Sequence, residues 1–238
     1  MRSNKFKVLS DEEIQSIHDQ SFNILENTGI RVNLKKMRER LADYGAKVDE
    51  ASKIVKFPRD LMEKVIKEVP GEFPICGYDF NFKKNISTTD RVWAGLGTAF
   101  RMLDPATGKW TDATQEDSAK HIILFDYLEH VSSNQMDVFA QDVPMQTVHV
   151  EGIRAWVKNC KKGFGMGAYG VKASGEMIDM VSMAIGGKEK LQENHPFVSI
   201  ISIQSPLSTA QIQLEGMMIF AKHRIPMCVS PEAMAGLS

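Results

Sequence analysis

The sequence predicts an α/β protein of parallel strand–loop–helix units, preceded by a small helical module and a β-rich connector. Three observations carry that prediction. From about Val131 onward, short apolar runs alternate with helix-length amphipathic stretches. Each apolar run is separated from the next by a connection of helix length, which demands parallel pairing with right-handed crossovers. Ahead of this stretch the periodicity is first helical and then broken into short pieces rich in Gly, Asn and Thr.

The helical module is expected over residues 1–70. Ser10 and Glu13 have the spacing of a capping box, Ile14, Ile17, Phe22 and Leu25 supply an apolar face, and Gly29 stands where a left-handed cap belongs. A second helix is predicted from Asn33 to Tyr44, with Leu34, Met37 and Leu41 inward and Gly45 ending it. Lys47-Val48 and Ile54-Val55 flank a polar turn and predict a short hairpin. Pro58 suits the first turn of a third helix that Pro70-Gly71 stops. The connector, residues 71–113, holds FPICGYDFNF, NISTTDRVWAG and TAFRMLDPATGKWTDA; DPATG predicts a hairpin turn across Asp104 to Gly108. It is expected at one edge of the domain.

Residues 114–238 carry the repeating units. Thr114 and Asp117 cap a helix lined by Ala119, Ile122, Ile123 and Tyr127 that ends near His130. Four strands are then expected: Met136 to Ala140, the glycine-rich GFGMGAYG, FVSIISI and PMCVS. Helices through Ile153 and Trp156, through Met177, Ile178, Val181 and Ile185, and through Ile212, Leu214, Met217 and Ile219 connect them. The final unit offers a strand and a loop with Ser230 and Glu232 but no covering helix, which predicts part of a longer α/β design. Four such units suit half of an eight-stranded barrel or half of an open doubly wound sheet.

Composition narrows the function classes. The 238 residues carry 29 basic and 30 acidic side chains, a formal charge of −1, so no polyanion-attracting field is expected and nucleic acid and membrane surfaces are excluded as partners. Three widely spaced cysteines, Cys76, Cys160 and Cys228, form no CxxC pair and favour a reducing cytoplasm. The start has no apolar signal-peptide run, and fourteen methionines are ascribed to flexible core filling.

Gly165-Met166-Gly167-Ala168-Tyr169-Gly170 matches G-x-G-x-x-G, but Lys158 to Lys162 before it look like a helix end. No acidic residue closes FVSIISI either, so the glycines are assigned to a tightly packed strand rather than to a dinucleotide. The six histidines show no HxxxH spacing, and no metal site is expected. Chemistry in parallel α/β folds gathers at the carboxyl ends of the strands. Those positions are Asp142, Tyr169, Gln204-Ser205, Ser230 and Glu232. Asp142 and Ser205 have helix initiation as their plain alternative, and Glu232 a solvated loop charge. Trp93, in VWAGLG, is added as an indole able to face a quaternary ammonium. The candidate substrate-binding set is therefore Trp93, Asp142, Tyr169, Gln204 and Glu232.

Three stretches carry a family resemblance: LSDEEIQSIHDQSFNILENTGIRV, RMLDPATGKWTDATQEDSAKHIILFDYLEHV, and the tail from SIQSPLS to IPMCVSPEAMAGLS. They resemble the trimethylamine methyltransferase family, corrinoid-dependent methyltransferases of methylated amines, in order along essentially the whole chain. The resemblance implies a partial (β/α)8 TIM barrel, the amino-terminal half of a chain about twice as long. It implies methyl transfer from a tertiary or quaternary amine, trimethylamine or a glycine-betaine-like compound, to the cobalt of a corrinoid protein. No D-x-H-x-x-G pattern is present, which fits a corrinoid presented by a partner rather than bound by this chain. The open edges of a half barrel predict self-pairing into a homo-oligomer, pairing with a complementary chain, or aggregation. The competing expectations are a non-catalytic remnant that only binds or oligomerises through its exposed sheet edge, and a nucleotide-binding α/β enzyme.

Overall fold

The computed structural model describes residues 8–88, 92–95, 97–135, 138–231 and 236. They form two compact units: Met1–Val69 with Gln204–Ala210 and Ala233–Ser238, and Pro70–Ile203 with Gln211–Glu232.

In the first unit α1 (Asp11–Asn23) starts at the expected capping box. The Ser10 N–H donates to Glu13 Oε2 at 2.7 Å and the Glu13 N–H donates to Ser10 Oγ at 3.1 Å. The helix runs on through one wide π-helical turn, Ile24–Thr28, and stops at Gly29, whose φ is +78°. Phe22 is buried as expected, but Ile14 and Ile17 are 50 % and 56 % exposed. The reason is rotational: the packed side of α1 runs through Asp19, ion-paired to Arg59 at 2.6 Å, and Phe22, whose ring lies 5.1 Å under the same guanidinium. Ile14 and Ile17 are turned away from that side by the helix period.

After β1 (Ile30–Val32) come α2 (Lys35–Asp43), the hairpin β2 (Lys47–Asp49) and β3 (Ile54–Lys56), and α3 (Arg59–Glu68). The predicted helices and hairpin are thus present, joined to a sheet of order β12-β1-β3-β2 whose outer strand β12 (Ser208–Thr209) comes from far along the chain. The buried Arg38 is satisfied within this unit: Nη1 donates to Val32 O at 2.9 Å and Nη2 to Glu50 Oε2 at 2.6 Å. Gly29 is sterically required here, since a side chain would start 2.5 Å from Val55 O on a backbone of positive φ. Gly29→Ala should cost about 2 kcal/mol, measured by urea unfolding, because overpacking and left-handed strain add.

The second unit opens with the antiparallel pair β4 (Glu72–Cys76) and β5 (Lys83–Ser87) and the short β6 (Trp93–Ala94). The hairpin β7 (Arg101–Leu103) and β8 (Trp110–Asp112) turns at the predicted DPATG, where Asp104 accepts from the Ala106 N–H and Thr107 Oγ1. Then follow α4 (Gln115–Tyr127), β9 (Val131–Gln135), α5 (Val148–Asn159), β10 (Gly163–Gly167), α6 (Gly170–Ile185), α7 (Lys188–Asn194), β11 (Phe197–Ile203), α8 (Gln211–Lys222) and β13 (Met227–Pro231). The sheet order is β13-β11-β10-β9-β6, and every neighbouring pair is parallel.

Two features differ from expectation. The first repeating strand lies at Val131–Gln135 rather than Met136 to Ala140, of which Met136 and Asp137 lie outside the described residues. Its sequence, VSSNQ, has no apolar run to announce it, yet Ser132 and Ser133 are buried. The connector also contributes a parallel strand of its own, β6, at the sheet edge. The result is a mixed α/β fold with a five-stranded parallel sheet, compatible with a partial (β/α)8 barrel.

The core lies between sheet and helices. Phe164 and Met166 of β10 and Phe197 and Ile201 of β11 meet Trp156, Met177, Ile178 and Phe220. Strand alternation places Gly163, Gly165 and Gly167 on the opposite face of β10. Lys162, ahead of β10, is buried with its charge satisfied at the last turn of α4: Nζ donates to Phe125 O at 2.9 Å and Leu128 O at 2.6 Å. Cations belong at that end of a helix.

Candidate functional site

Beyond the carboxyl ends of β9 and β10 lies a cavity of about 530 Å³. Its walls are largely apolar, with Phe100, Phe139 and Tyr169 supplying rings and His149, Lys172 and Glu176 supplying charge or hydrogen bonds. The backbone beyond β6 brings Phe100 there: Ala99 bridges Val138 in parallel register, and the Phe100 and Phe139 ring centroids are 5.2 Å apart. Tyr169 stands at the residue before α6, just after β10. A side chain on Gly167 would start 2.9 Å from the Tyr169 ring, so the glycine is what lets that ring lie against the strand end. Burial pushes the Tyr169 phenol above its ordinary pKa, which keeps it protonated.

His149, on the first turn of α5, and Glu176, in the second turn of α6, meet across the crossover at 2.8 Å from Nε2 to Oε2. Lys172 lies one turn before Glu176 on the same helix, with Nζ 3.8 Å from Oε1.

Of the predicted residues that are described, only Tyr169 lines this cavity. Trp93 is 63 % exposed and pairs with Val131, the first residue of β9, which puts it at the amino end of the strands rather than at their mouth. Asp142 is exposed and accepts the Gln115 N–H at 2.9 Å, at the start of α4. Gln204 is exposed beyond β11, exchanging backbone hydrogen bonds with Ser208 in the first unit. Ser230 pairs with Ser202 within the sheet, and Glu232 lies outside the described residues. Among the described residues, the structure therefore does not gather Trp93, Asp142, Tyr169 and Gln204 into one group.

Sequence reasoning missed His149 and Glu176 because they are 27 residues apart with no fixed motif between them. The one local signal was the Lys172/Glu176 pair at i, i+4 on a predicted helix. The glycine motif is strand-borne for Gly165 and Gly167, and Gly170 opens α6. Among the described residues no group of three or more His, Cys, Asp or Glu could hold a metal ion, and no helix is long and apolar enough to cross a membrane. Burial pushes the Cys160 thiol up to about 12, far from the range of a reactive thiolate.

Parallel strands with helical crossovers and a cavity at the strand ends are the arrangement of α/β enzymes that work from their carboxyl-end loops. The comparison with known families narrows this class. Residues 1–238 match the model of the family described as trimethylamine methyltransferase (MTTB), and the chain belongs to that family. It is similar to the trimethylamine methyltransferase MttB of Desulfitobacterium hafniense, 26 % identical over 229 residues, 95 % of this chain and 46 % of the relative. MttB of Methanosarcina thermophila is 26 % identical over 245 residues, 98 % of this chain and 49 % of the relative. A glycine betaine methyltransferase of Desulfitobacterium hafniense is 26 % identical over 234 residues, 98 % of this chain and 48 % of the relative. The chain thus spans about half the length of the curated relatives it matches.

Proposed function

We propose that this chain works as the amino-terminal half of a (β/α)8 methyltransferase that passes a methyl group from a tertiary or quaternary amine to the cobalt of a corrinoid carried by a partner protein. The observation that carries the reading is the family match along the whole chain, with relatives named for trimethylamine and for glycine betaine. In the proposed reaction the C–N bond breaks, the nitrogen keeps its electron pair, and the departing amine is neutral when its nitrogen started out positively charged. Reduced cobalt, the methyl acceptor, supplies the electron pair for the new bond to carbon.

This chain's task is to hold the cation and orient one methyl group in line. Aromatic faces and a carboxylate serve that task. The proposal places the protein in the cytoplasm as a homo-oligomer.

The test mixes the protein with a reduced corrinoid protein and a panel of methylated amines, and follows the visible spectrum of the cobalt. A spectral change with trimethylamine or glycine betaine, and none with unmethylated analogues, is expected; no change with any amine sinks the reading. The second reading is a polypeptide that binds or oligomerises through its exposed sheet edge without catalysis. That reading expects amine binding with no spectral change.

A further inference from the structure

We infer that Glu176, held by the buried His149, is the counter-charge through which the cavity selects a methylated ammonium ion, and that His149 is a positioning residue acting through it. The ligand class rests on the methyltransferase reading; the roles of the two residues rest on geometry. His149 is 3 % exposed and Glu176 38 % exposed, so the pair runs from the interior to the cavity surface. An ionised carboxylate only accepts, so Nε2 of His149 carries the hydrogen and donates it across 2.8 Å to Oε2. That bond fixes the Glu176 rotamer and leaves lone pairs on both oxygens for a ligand.

The competing cation is weak. Lys172 reaches Oε1 only at 3.8 Å, and its side chain is 85 % exposed. Exposed pairs of this kind hold little free energy, so an incoming ligand displaces the lysine readily. The same cavity is lined by the rings of Phe100, Phe139 and Tyr169. Ring faces carry negative quadrupole density and favour a large, weakly hydrated cation. A phosphate-bearing ligand would be repelled by Glu176, which argues against a nucleotide in the same cavity.

Choline and its neutral carbon isostere, 3,3-dimethylbutan-1-ol, differ in the charge at the trimethyl group and separate charge recognition from apolar contact. Binding of each to the intact 238-residue chain is measured by NMR titration. Choline is expected to bind about ten-fold more tightly than the isostere. Glu176→Gln should remove that preference while leaving isostere affinity within about two-fold. His149→Phe should weaken choline by roughly three- to five-fold and His149→Gln, which keeps a donor, by less. Lys172→Met should tighten choline slightly.

Equal affinity for the two probes, or a Glu176→Gln variant that keeps the choline preference, overturns the inference. A His149→Phe variant that binds choline like the parent overturns the positioning role; if that variant does not fold, His149→Gln at a level equal to Glu176→Gln does so instead. Choline discrimination that depends on Glu176 alongside failed methyl transfer with every amine would sustain this site and sink the methyltransferase reading. Methyl transfer undiminished in Glu176→Gln would do the reverse.

Discussion

Trp156→Ala is expected to lower the unfolding free energy of the second unit by about 3–5 kcal/mol, read from urea denaturation. The indole is fully buried and stacks on Phe164, with centroids 5.3 Å apart and planes 12° from parallel. Its edge also meets Tyr78 at 6.1 Å. Alanine would leave a large void among close-packed groups, and the surrounding strands and helices can relax only in part. The loss is compounded because Trp156 Nε1 donates to Lys162 O at 2.8 Å, a buried carbonyl that would be left to the weak, 4.0 Å contact of the Cys160 thiol. Trp156→Phe keeps most of the ring and should cost roughly half as much. A loss below about 1 kcal/mol for Trp156→Ala would show that this stack is not the centre of the core. The site depends on the same residue: Trp156 pins α5 to the approach to β10, and His149 stands about two turns earlier on that helix.

Gly77→Ala should be comparably damaging, at about 3 kcal/mol or with loss of soluble protein. A side chain there would begin 1.6 Å from the Lys161 carbonyl oxygen and 2.7 Å from its carbon. Both are backbone atoms, so no rotamer change relieves the clash. Neither partner is free to withdraw. The Gly77 N–H donates to Phe82 O at 2.9 Å, and the Lys161 N–H donates to Asp126 Oδ1 at 2.7 Å. Gly175→Ala on α6 is the matched control, because nothing lies within 4 Å of its added carbon. That substitution should stabilise by ~0.5–1 kcal/mol through helix propensity alone. Equal effects from the two substitutions would mean that the turn at Gly77 opens easily.

Features written within a few residues of one another were legible in the sequence. The capping boxes at Ser10/Glu13 and Thr114/Asp117 are both present, since each requires only a side chain three positions from a helix start. The DPATG turn and the strand FVSIISI are likewise local, the first through turn chemistry and the second through its run of β-branched residues. Strand β9 was hidden because Ser132 and Ser133 are buried in it, and a buried serine leaves no trace in a hydrophobicity pattern. The orientation of α1 was hidden for a different reason: Arg59, forty residues on, chooses the side that carries Asp19 and Phe22.

The candidate site divides along the same line. Tyr169 was reachable because a parallel strand followed by a helix marks its own carboxyl end, and position after β10 is a one-dimensional property. Trp93 was misplaced because the register of β6 against β9, which sets it at the amino end, depends on pairing between distant segments. His149 and Glu176 come together only when two successive helices lie side by side on the sheet, and helix–helix packing sets which turns meet. The sequence by itself determined the alternation of parallel strands and helices, the caps and turns, and the family. Tertiary structure alone decided which carboxylate faces the cavity and what holds it there, because that choice rests on contacts between elements that no local spacing encodes.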